Sequence, residues 1–169
     1  MNYHFIIEEL AQNNSVFKGL LADVSTKDSL WKQTPEKWSL LEIVCHLHDE
    51  EVEDFRTRTK HLLENNKHAF TPINPAIWVK ERNYFKEDYS AKLHQFIDER
   101  NRSVQWLKSL KNANWDNFIT HQHFGEMTAK LFLSNWLAHD YLHIRQILKL
   151  KFDLLKFKSE EALIYAGKW

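Results

Sequence analysis

Residues 38–51, WSLLEIVCHLHDEE, contain a helix start followed by one apolar helical face. Ser39 precedes the apolar run and Glu42 follows three residues later, which is the spacing of a capping box at the beginning of an α-helix. Apolar residues then recur with helical spacing at Leu40, Ile43, Val44, Leu47, Phe55 and Leu62. We therefore predict a helix that begins after Ser39 and ends near residue 64.

The rest of the chain is also dominated by helical periodicity. The same three-and-four spacing of apolar residues occurs in about residues 2–21, 90–111 and 128–150. The whole chain has only three glycines and three prolines, far fewer turn formers than a many-stranded sandwich or barrel uses. Gly125 permits a turn or a short hairpin before the last long helix, and residues after Ser159 can form one further short helix. The predicted class is all-α.

A long connection separates the second predicted helix from the third. Residues 65–75 contain two prolines and an Asn-Asn pair, which cannot easily continue a helix. Four long helices with such a connection predict a four-helix bundle, a fold that places metal and cofactor sites in its interior. At 169 residues the chain has the length of one domain, spanning residues 1–169.

Composition excludes several classes of partner. Basic and acidic residues number 23 each, so the net charge is zero and no attraction to nucleic acid or to an anionic membrane is expected. No apolar stretch approaches the roughly 20 residues of a membrane span. Cys45 is the single cysteine and no secretory signal pattern precedes the first helix, so we expect a cytoplasmic protein. A small-molecule substrate is the partner that we expect.

The stretch LAHDYLHIRQ, residues 137–146, places two histidines four apart on the last helix. His139 and His143 are then separated by about 40° around the helix and about 6 Å along it, so both can reach one ion. Both continue an apolar stripe through Trp136 and Ile147, which points them inward, where an unpaired imidazole is costly. Taken alone, the pair fits metal ligands, a zinc-protease signature or two ordinary polar residues.

A third histidine extends the metal interpretation. His46 lies at the edge of the buried stripe of the second helix, so His46, His139 and His143 can converge if the second and fourth helices are neighbours. Three nitrogen ligands with an open position are typical of a catalytic metal site. The nearby carboxylates Glu50 and Asp140 are catalytic candidates, which could orient a ligand imidazole or move a proton.

The zinc-protease interpretation uses the same two histidines. In H-E-x-x-H proteases a glutamate follows the first histidine as general base, whereas here Asp140 stands in that place. Glu160 or Glu161 would have to supply the third ligand. This interpretation leaves the motif around His46 unexplained. Cys45 points away from His46 and is expected to be a small buried apolar residue.

The two motifs together resemble the DinB/YfiT-like family of metal-binding four-helix-bundle proteins. The family pattern on the second helix is matched by Trp38, Ser39, Glu42, Ile43, Val44, His46, Leu47, Asp49 and Glu51. The pattern on the fourth helix is matched by His139, Asp140, His143 and Gln146, and the step before that helix by Gly125 and Thr128. The sequence departs from the pattern at Arg145, where family members commonly have glycine.

The resemblance implies a fold, a metal site and two kinds of reaction. It implies an up-down-down-up bundle, often a homodimer, in which His46, His139 and His143 bind a divalent ion such as zinc, nickel, iron or manganese. Characterised relatives include S-transferases that use a low-molecular-weight thiol such as bacillithiol or mycothiol. A metal-bound hydroxide would instead give hydrolysis. Two alternatives stay open, a non-catalytic metal-binding or stress-related interaction module and a structural protein without metal.

Overall fold

The computed structural model describes residues 3–64 and 68–169. Its helices are α1 (His4–Leu21), α2 (Thr26–Ser29), α3 (Leu40–Asp49), a π-helical segment (Glu50–Arg56), α4 (Thr57–Leu63), α5 (Pro75–Glu81), α6 (Tyr89–Ser109) and α7 (Ala129–Ser159). Two single 3₁₀ turns are found at Tyr84–Lys86 and Ile164–Ala166, and the strands β1 (Phe118–His121) and β2 (Gly125–Thr128) form a hairpin. The predicted all-α class is confirmed. Residues 65–67 of the predicted connection lie outside the described residues.

The helix start predicted at Ser39 is confirmed in atomic detail. The Ser39 hydroxyl accepts a hydrogen bond from the Glu42 backbone N–H at 3.3 Å, and the Glu42 carboxylate accepts from the Ser39 N–H at 2.7 Å. The helix then differs from the prediction, because residues 50–56 are π-helical. π-Helical turns are rare and often occur at functional sites. Here Glu50 and Glu51, two consecutive acids, are both buried.

The second bundle helix, which comprises α3, the π-helical segment and α4, runs parallel to α6. The Arg100 guanidinium of α6 contacts Glu51 at 2.8 Å, and one turn further along both helices Arg56 donates to the Ser103 hydroxyl at 3.2 Å. Residue numbers therefore increase in the same direction on both helices. Parallel neighbours need a long connection, and α5 lies within it.

The other contacts complete the predicted topology. Helix α1 runs parallel to α7 and antiparallel to α6, so the four bundle helices are arranged up, down, down and up. The pairs that show this are Asn13 with Asp140 and Leu20 with Lys151 for the parallel helices, and Glu8 with Lys108 and Leu21 with Tyr89 for the antiparallel ones. The bundle thus places the second bundle helix beside α7, as the metal interpretation requires.

Helix α7 is longer and buries a narrower face than the sequence predicts. Thr128 caps its start by accepting a hydrogen bond from the Leu131 N–H, and the helix ends at Ser159, nine residues beyond the predicted end. The extra turns pack against the α2 region, where Phe157 lies 5.5 Å from Trp31 between ring centres. Leu131 and Asn135 fall on the same broad helical stripe as Trp136 by their spacing in the sequence, yet both are exposed in the structure. No helix in the described ranges is long and apolar enough to cross a membrane.

Candidate metal centre

Three histidine side chains from two helices converge in the bundle. His46 Nε2 lies 3.3 Å from His139 Nε2, and His143 Nε2 lies 3.0 Å from the same atom. The three candidate ligand atoms all lie within 4.8 Å of one another. With metal–nitrogen bonds of about 2.0–2.1 Å, nitrogens around a tetrahedral ion are about 3.3–3.4 Å apart. The spacing therefore fits three ligands of a single ion.

The environment keeps all three imidazoles neutral. Burial, reinforced by the neighbouring His143 imidazole, which disfavours a second proton at the site, lowers the pKa of His46 to about 3. Burial and the two neighbouring imidazoles lower the pKa of His139 to about 2, and burial also lowers the pKa of His143. The neutral imidazole is the form that binds metal, so the site is ready for an ion at neutral pH without displacing a proton.

Aromatic rings pack against the histidines and offer no hydrogen-bond partner to two of their ring nitrogens. Trp38 lies 4.8 Å from the His46 ring and Phe55 lies 5.0 Å from the His139 ring, measured between ring centres. The Nδ1 atoms of His46 and His143 are buried and find no hydrogen-bond partner among the described residues. Leaving a buried polar atom unpaired costs about 1–3 kcal/mol. An ion held by the opposite nitrogens would offset that cost.

A pocket of about 510 Å³ opens beside His143. Trp38 forms part of its wall, and Gln146 lies next to His143. A small organic molecule in this pocket would therefore contact His143, one of the three histidines. Within the described ranges, these histidines are the only group of three His, Cys, Asp or Glu side chains close enough to share an ion.

The comparisons with known proteins agree with this geometry. The sequence model of the DinB superfamily matches residues 9–147. The chain belongs to the DinB superfamily. Among solved structures it is similar to YfiT from Bacillus subtilis, which is described as a probable metal-dependent hydrolase with an unusual four-helix bundle topology. That match has a TM-score of 0.75 at 19% identity and covers 89% of this chain and 86% of YfiT. No curated protein matches the chain.

In this DinB-superfamily protein, Asp140 faces the core and not the histidines. Both of its oxygens accept hydrogen bonds from the Arg100 guanidinium, at 2.6 and 2.7 Å, and one also accepts from the Asn13 amide at 3.1 Å. The side chain is fully buried. Its acceptor sites are directed at Arg100 and Asn13, and no hydrogen bond joins it to the histidines among the described residues, so its role in orienting a ligand imidazole or moving a proton stays a prediction.

Arg100 joins Asp140 to a second buried acid. Its Nε donates to Glu51 at 2.9 Å, and the same Glu51 oxygen accepts from the Trp136 indole N–H at 2.9 Å. We call Asn13, Glu51, Arg100, Trp136 and Asp140 the ion-pair cluster. It carries two carboxylates and one guanidinium, and its excess negative charge favours a cation nearby.

Sequence reasoning missed Arg100, although a signal was present. Arg100 lies four residues after Phe96 and four before Val104, in the middle of the apolar stripe of α6. A charged residue at such a position must be buried with a partner, because an unpaired charge in the core is prohibitively costly. The two acids that pair with it come from other helices.

Glu50 is buried, but no hydrogen bond joins it to the histidines in the described part of the chain. Burial and the adjacent Asp54 raise the pKa of Glu50 to about 8, so it holds a proton at neutral pH. Asp54 in turn contacts Arg58 at 2.8 Å. The role of Glu50 as a proton carrier therefore stays a prediction.

The other polar residues near the motifs have partners of their own. Burial raises the pKa of Asp49, but hydrogen bonds from His48, Tyr84 and Arg82 outweigh it and lower the pKa to about 2. Burial raises the pKa of the Cys45 thiol to about 12, in agreement with its expected role as a small apolar residue. Asp49 therefore anchors the connection after α4.

The zinc-protease interpretation has no support in the structure. Glu160 and Glu161 are exposed beyond the end of α7, whereas His46 lies beside the other two histidines. His121 and His123 lie on the hairpin and belong to no three-residue metal group among the described residues. The third histidine of the group, His46, comes from the second bundle helix.

Proposed function

We propose that this DinB-superfamily protein is a metal-dependent enzyme that hydrolyses small molecules, with His46, His139 and His143 as the metal ligands. The observation that carries the proposal is the convergence of three neutral imidazoles at their Nε2 atoms, with one of the three residues, His143, in the wall of an open pocket. The description of YfiT as a probable metal-dependent hydrolase supports the same reaction class. Zinc, nickel, iron and manganese are all suited to imidazole ligands to different degrees.

The chain's own residues would hold the ion and shape the space around it. A divalent ion bound here would lower the pKa of a bound water and polarise a carbonyl oxygen. Trp38 and Phe55 would exclude bulk water from the histidines, which strengthens electrostatic interactions at the site. In ester hydrolysis the water oxygen bonds to the acyl carbon, the bond to the leaving oxygen breaks, and the water proton ends on that oxygen.

Thiol transfer is the second candidate reaction. The pocket beside His143 is far larger than a water molecule, so a low-molecular-weight thiol could enter. The thiol sulfur would bond to an electrophilic carbon, the leaving group would depart with its electron pair, and the thiol proton would be released. A non-catalytic metal-binding module is the alternative to both reactions.

Activity measurements distinguish these functions. Chelator-treated protein, reloaded separately with zinc, nickel, iron(II) or manganese, is assayed with 4-nitrophenyl butyrate, and with cysteine plus 1-chloro-2,4-dinitrobenzene. We expect metal-dependent ester hydrolysis that is lost in His46→Ala and kept in His123→Ala, the exposed control. Conjugation without hydrolysis would replace the hydrolase by a transferase. No turnover of either kind would overturn an enzymatic function.

We also propose that the protein forms a homodimer through the outer face of α7. Three large apolar residues at intervals of seven are exposed on one side of the helix, namely Tyr141, Leu148 and Leu155. Clustered exposed apolar residues are typical of interaction surfaces. Sedimentation equilibrium of the wild type should give the dimer mass, and Leu148→Glu should shift the equilibrium toward the monomer. A monomeric wild type at high micromolar concentration would contradict this proposal.

A further inference from the structure

The pocket beside His143 has an excess of positive charge. Its lining includes three basic residues, Lys37, Arg145 and Lys149, and a single acidic side chain, that of Asp153. Lys149 pairs with that carboxylate, one helical turn away. The pairing leaves two cationic side chains, those of Lys37 and Arg145, without a matching acidic side chain in the lining. This local excess contrasts with the zero net charge of the whole chain.

Arg145 differs from the other arginines of the chain. Every other arginine forms an ion pair with a carboxylate, namely Arg56, Arg58, Arg82, Arg100 and Arg102. Arg145, which lies on α7, forms none with the described residues. A guanidinium recognises carboxylates and phosphates through paired N–H donors, so a free one on a pocket wall is suited to an anionic ligand.

The position of Arg145 links this cation to the metal centre. Arg145 is two residues after His143 on the same helix, and both side chains line the same pocket. Trp38, which lies against the His46 ring, and Trp169 add aromatic surface to that lining. An apolar body could contact these rings while an anionic group reached Arg145 and Lys37.

We propose that the substrate is a small organic anion, which has a carboxylate or phosphate bound by Arg145 and Lys37 and a reacting group directed at the His143 side of the pocket. This inference rests on the proposed function, because it assigns a substrate class to the same site. The anion preference is assigned to the two unpaired basic side chains of the lining, those of Arg145 and Lys37.

A matched pair of esters tests the preference. 4-Nitrophenyl butyrate is neutral and mono-4-nitrophenyl succinate is an anion of similar size with the same leaving group. In the metal-loaded protein we expect Arg145→Gln to lower kcat/KM for the succinate ester about fivefold and to leave the butyrate ester unchanged. Arg102→Gln, which removes the same charge from the exposed face of α6, should leave the ratio of the kcat/KM values for the two esters unchanged. Equal effects of Arg145→Gln on both esters would overturn the inference.

A binding measurement separates this inference from the proposed reaction. The metal-loaded wild type and Arg145→Gln are titrated with 2-naphthoate and with neutral 2-naphthamide by calorimetry. We expect the naphthoate to bind the wild type about fivefold more tightly than Arg145→Gln, with the difference reduced by added salt, and the naphthamide to bind both alike. This result without ester turnover would keep the anion site and reject the hydrolase. Ester turnover without this difference would keep the hydrolase and reject the anion site.

Discussion

His139 and Asp140 are consecutive residues, yet they belong to two different buried polar groups, the three histidines and the ion-pair cluster. The two groups differ in whether other protein side chains satisfy their hydrogen-bonding atoms. Asp140 has both oxygens engaged by Arg100 in the ion-pair cluster. His139 has its Nε2 directed at the Nε2 atoms of His46 and His143, and in the metal-free protein three such lone pairs cannot all be satisfied by one another. We call a buried polar group matched when other protein side chains supply its hydrogen bonds or ion pairs, and unmatched when they do not. The comparison indicates that a matched group stabilises the fold, whereas an unmatched group indicates a binding site for a ligand.

The largest effect is expected from breaking the matched group. Arg100→Leu leaves Glu51 and Asp140 buried without their cation, so the free energy of unfolding should fall by about 3–5 kcal/mol in urea denaturation. Arg102→Leu, which removes an arginine from the exposed face of the same helix, should change it by less than about 0.5 kcal/mol. If Arg100→Leu does not fold, Arg100→Lys should fold with a smaller loss. A loss below about 1 kcal/mol for Arg100→Leu would show that the cluster is not the support described above.

An effect of intermediate size on stability is expected at Glu50. This buried carboxyl avoids an unpaired charge by keeping its proton, and not by pairing with a cation or a ligand. Its folded pKa of about 8 lies above the usual value of about 4.5, so between these pH values the folded state binds one more proton than the unfolded state. Stability is then greatest below pH 4.5 with respect to this group and falls as the pH rises toward 8, by about 1–3 kcal/mol.

The variant Glu50→Gln isolates this dependence. It should have a flatter profile of unfolding free energy between pH 5 and 8 than the wild type, since glutamine does not titrate. Chemical denaturation at several pH values measures both profiles. Parallel profiles would show that Glu50 does not titrate in this window.

The smallest effect on the free energy of unfolding is expected from removing one of the histidines that lack protein partners. In the metal-free protein, His143→Leu replaces a buried imidazole whose Nδ1 has no described partner by an apolar side chain. The free energy of unfolding should rise by about 1 kcal/mol, opposite in sign to Arg100→Leu. His123→Leu on the exposed hairpin serves as the control. A clear loss of stability in metal-free His143→Leu would mean that the imidazole has a packing or hydrogen-bonding role.

The fold was predictable because its signals are local. Ser39 and Glu42 fix a helix start through backbone hydrogen bonds within four residues, and the scarcity of glycine and proline excludes sheet-rich folds. The π-helical segment at residues 50–56 was not predictable, since nothing in its composition distinguishes an extra residue per turn from a regular helix. Packing against other helices determines where such a segment forms, and the spacing of apolar residues along the sequence does not predict it.

The site was predictable only in part, for a similar reason. Helical spacing pairs His139 with His143, and the motif around His46 supplies the third ligand, which the geometry brings to the same place. The environment of Asp140 depends on Arg100, which lies 40 residues earlier on another helix. Spacing along α7 predicts the direction in which the Asp140 side chain points, but it does not predict that the Arg100 guanidinium lies in that direction. Partners from distant helices have to be seen in the fold.

Metal binding to untagged, chelator-stripped protein tests the central claim most directly. Calorimetric titration with zinc should give one ion per chain for the wild type and for His123→Ala. His139→Ala should bind zinc about 100-fold more weakly or not at all, because it removes the imidazole whose Nε2 lies nearest to both of the others. Equal affinity and stoichiometry in His139→Ala and the wild type would contradict the three-histidine metal centre.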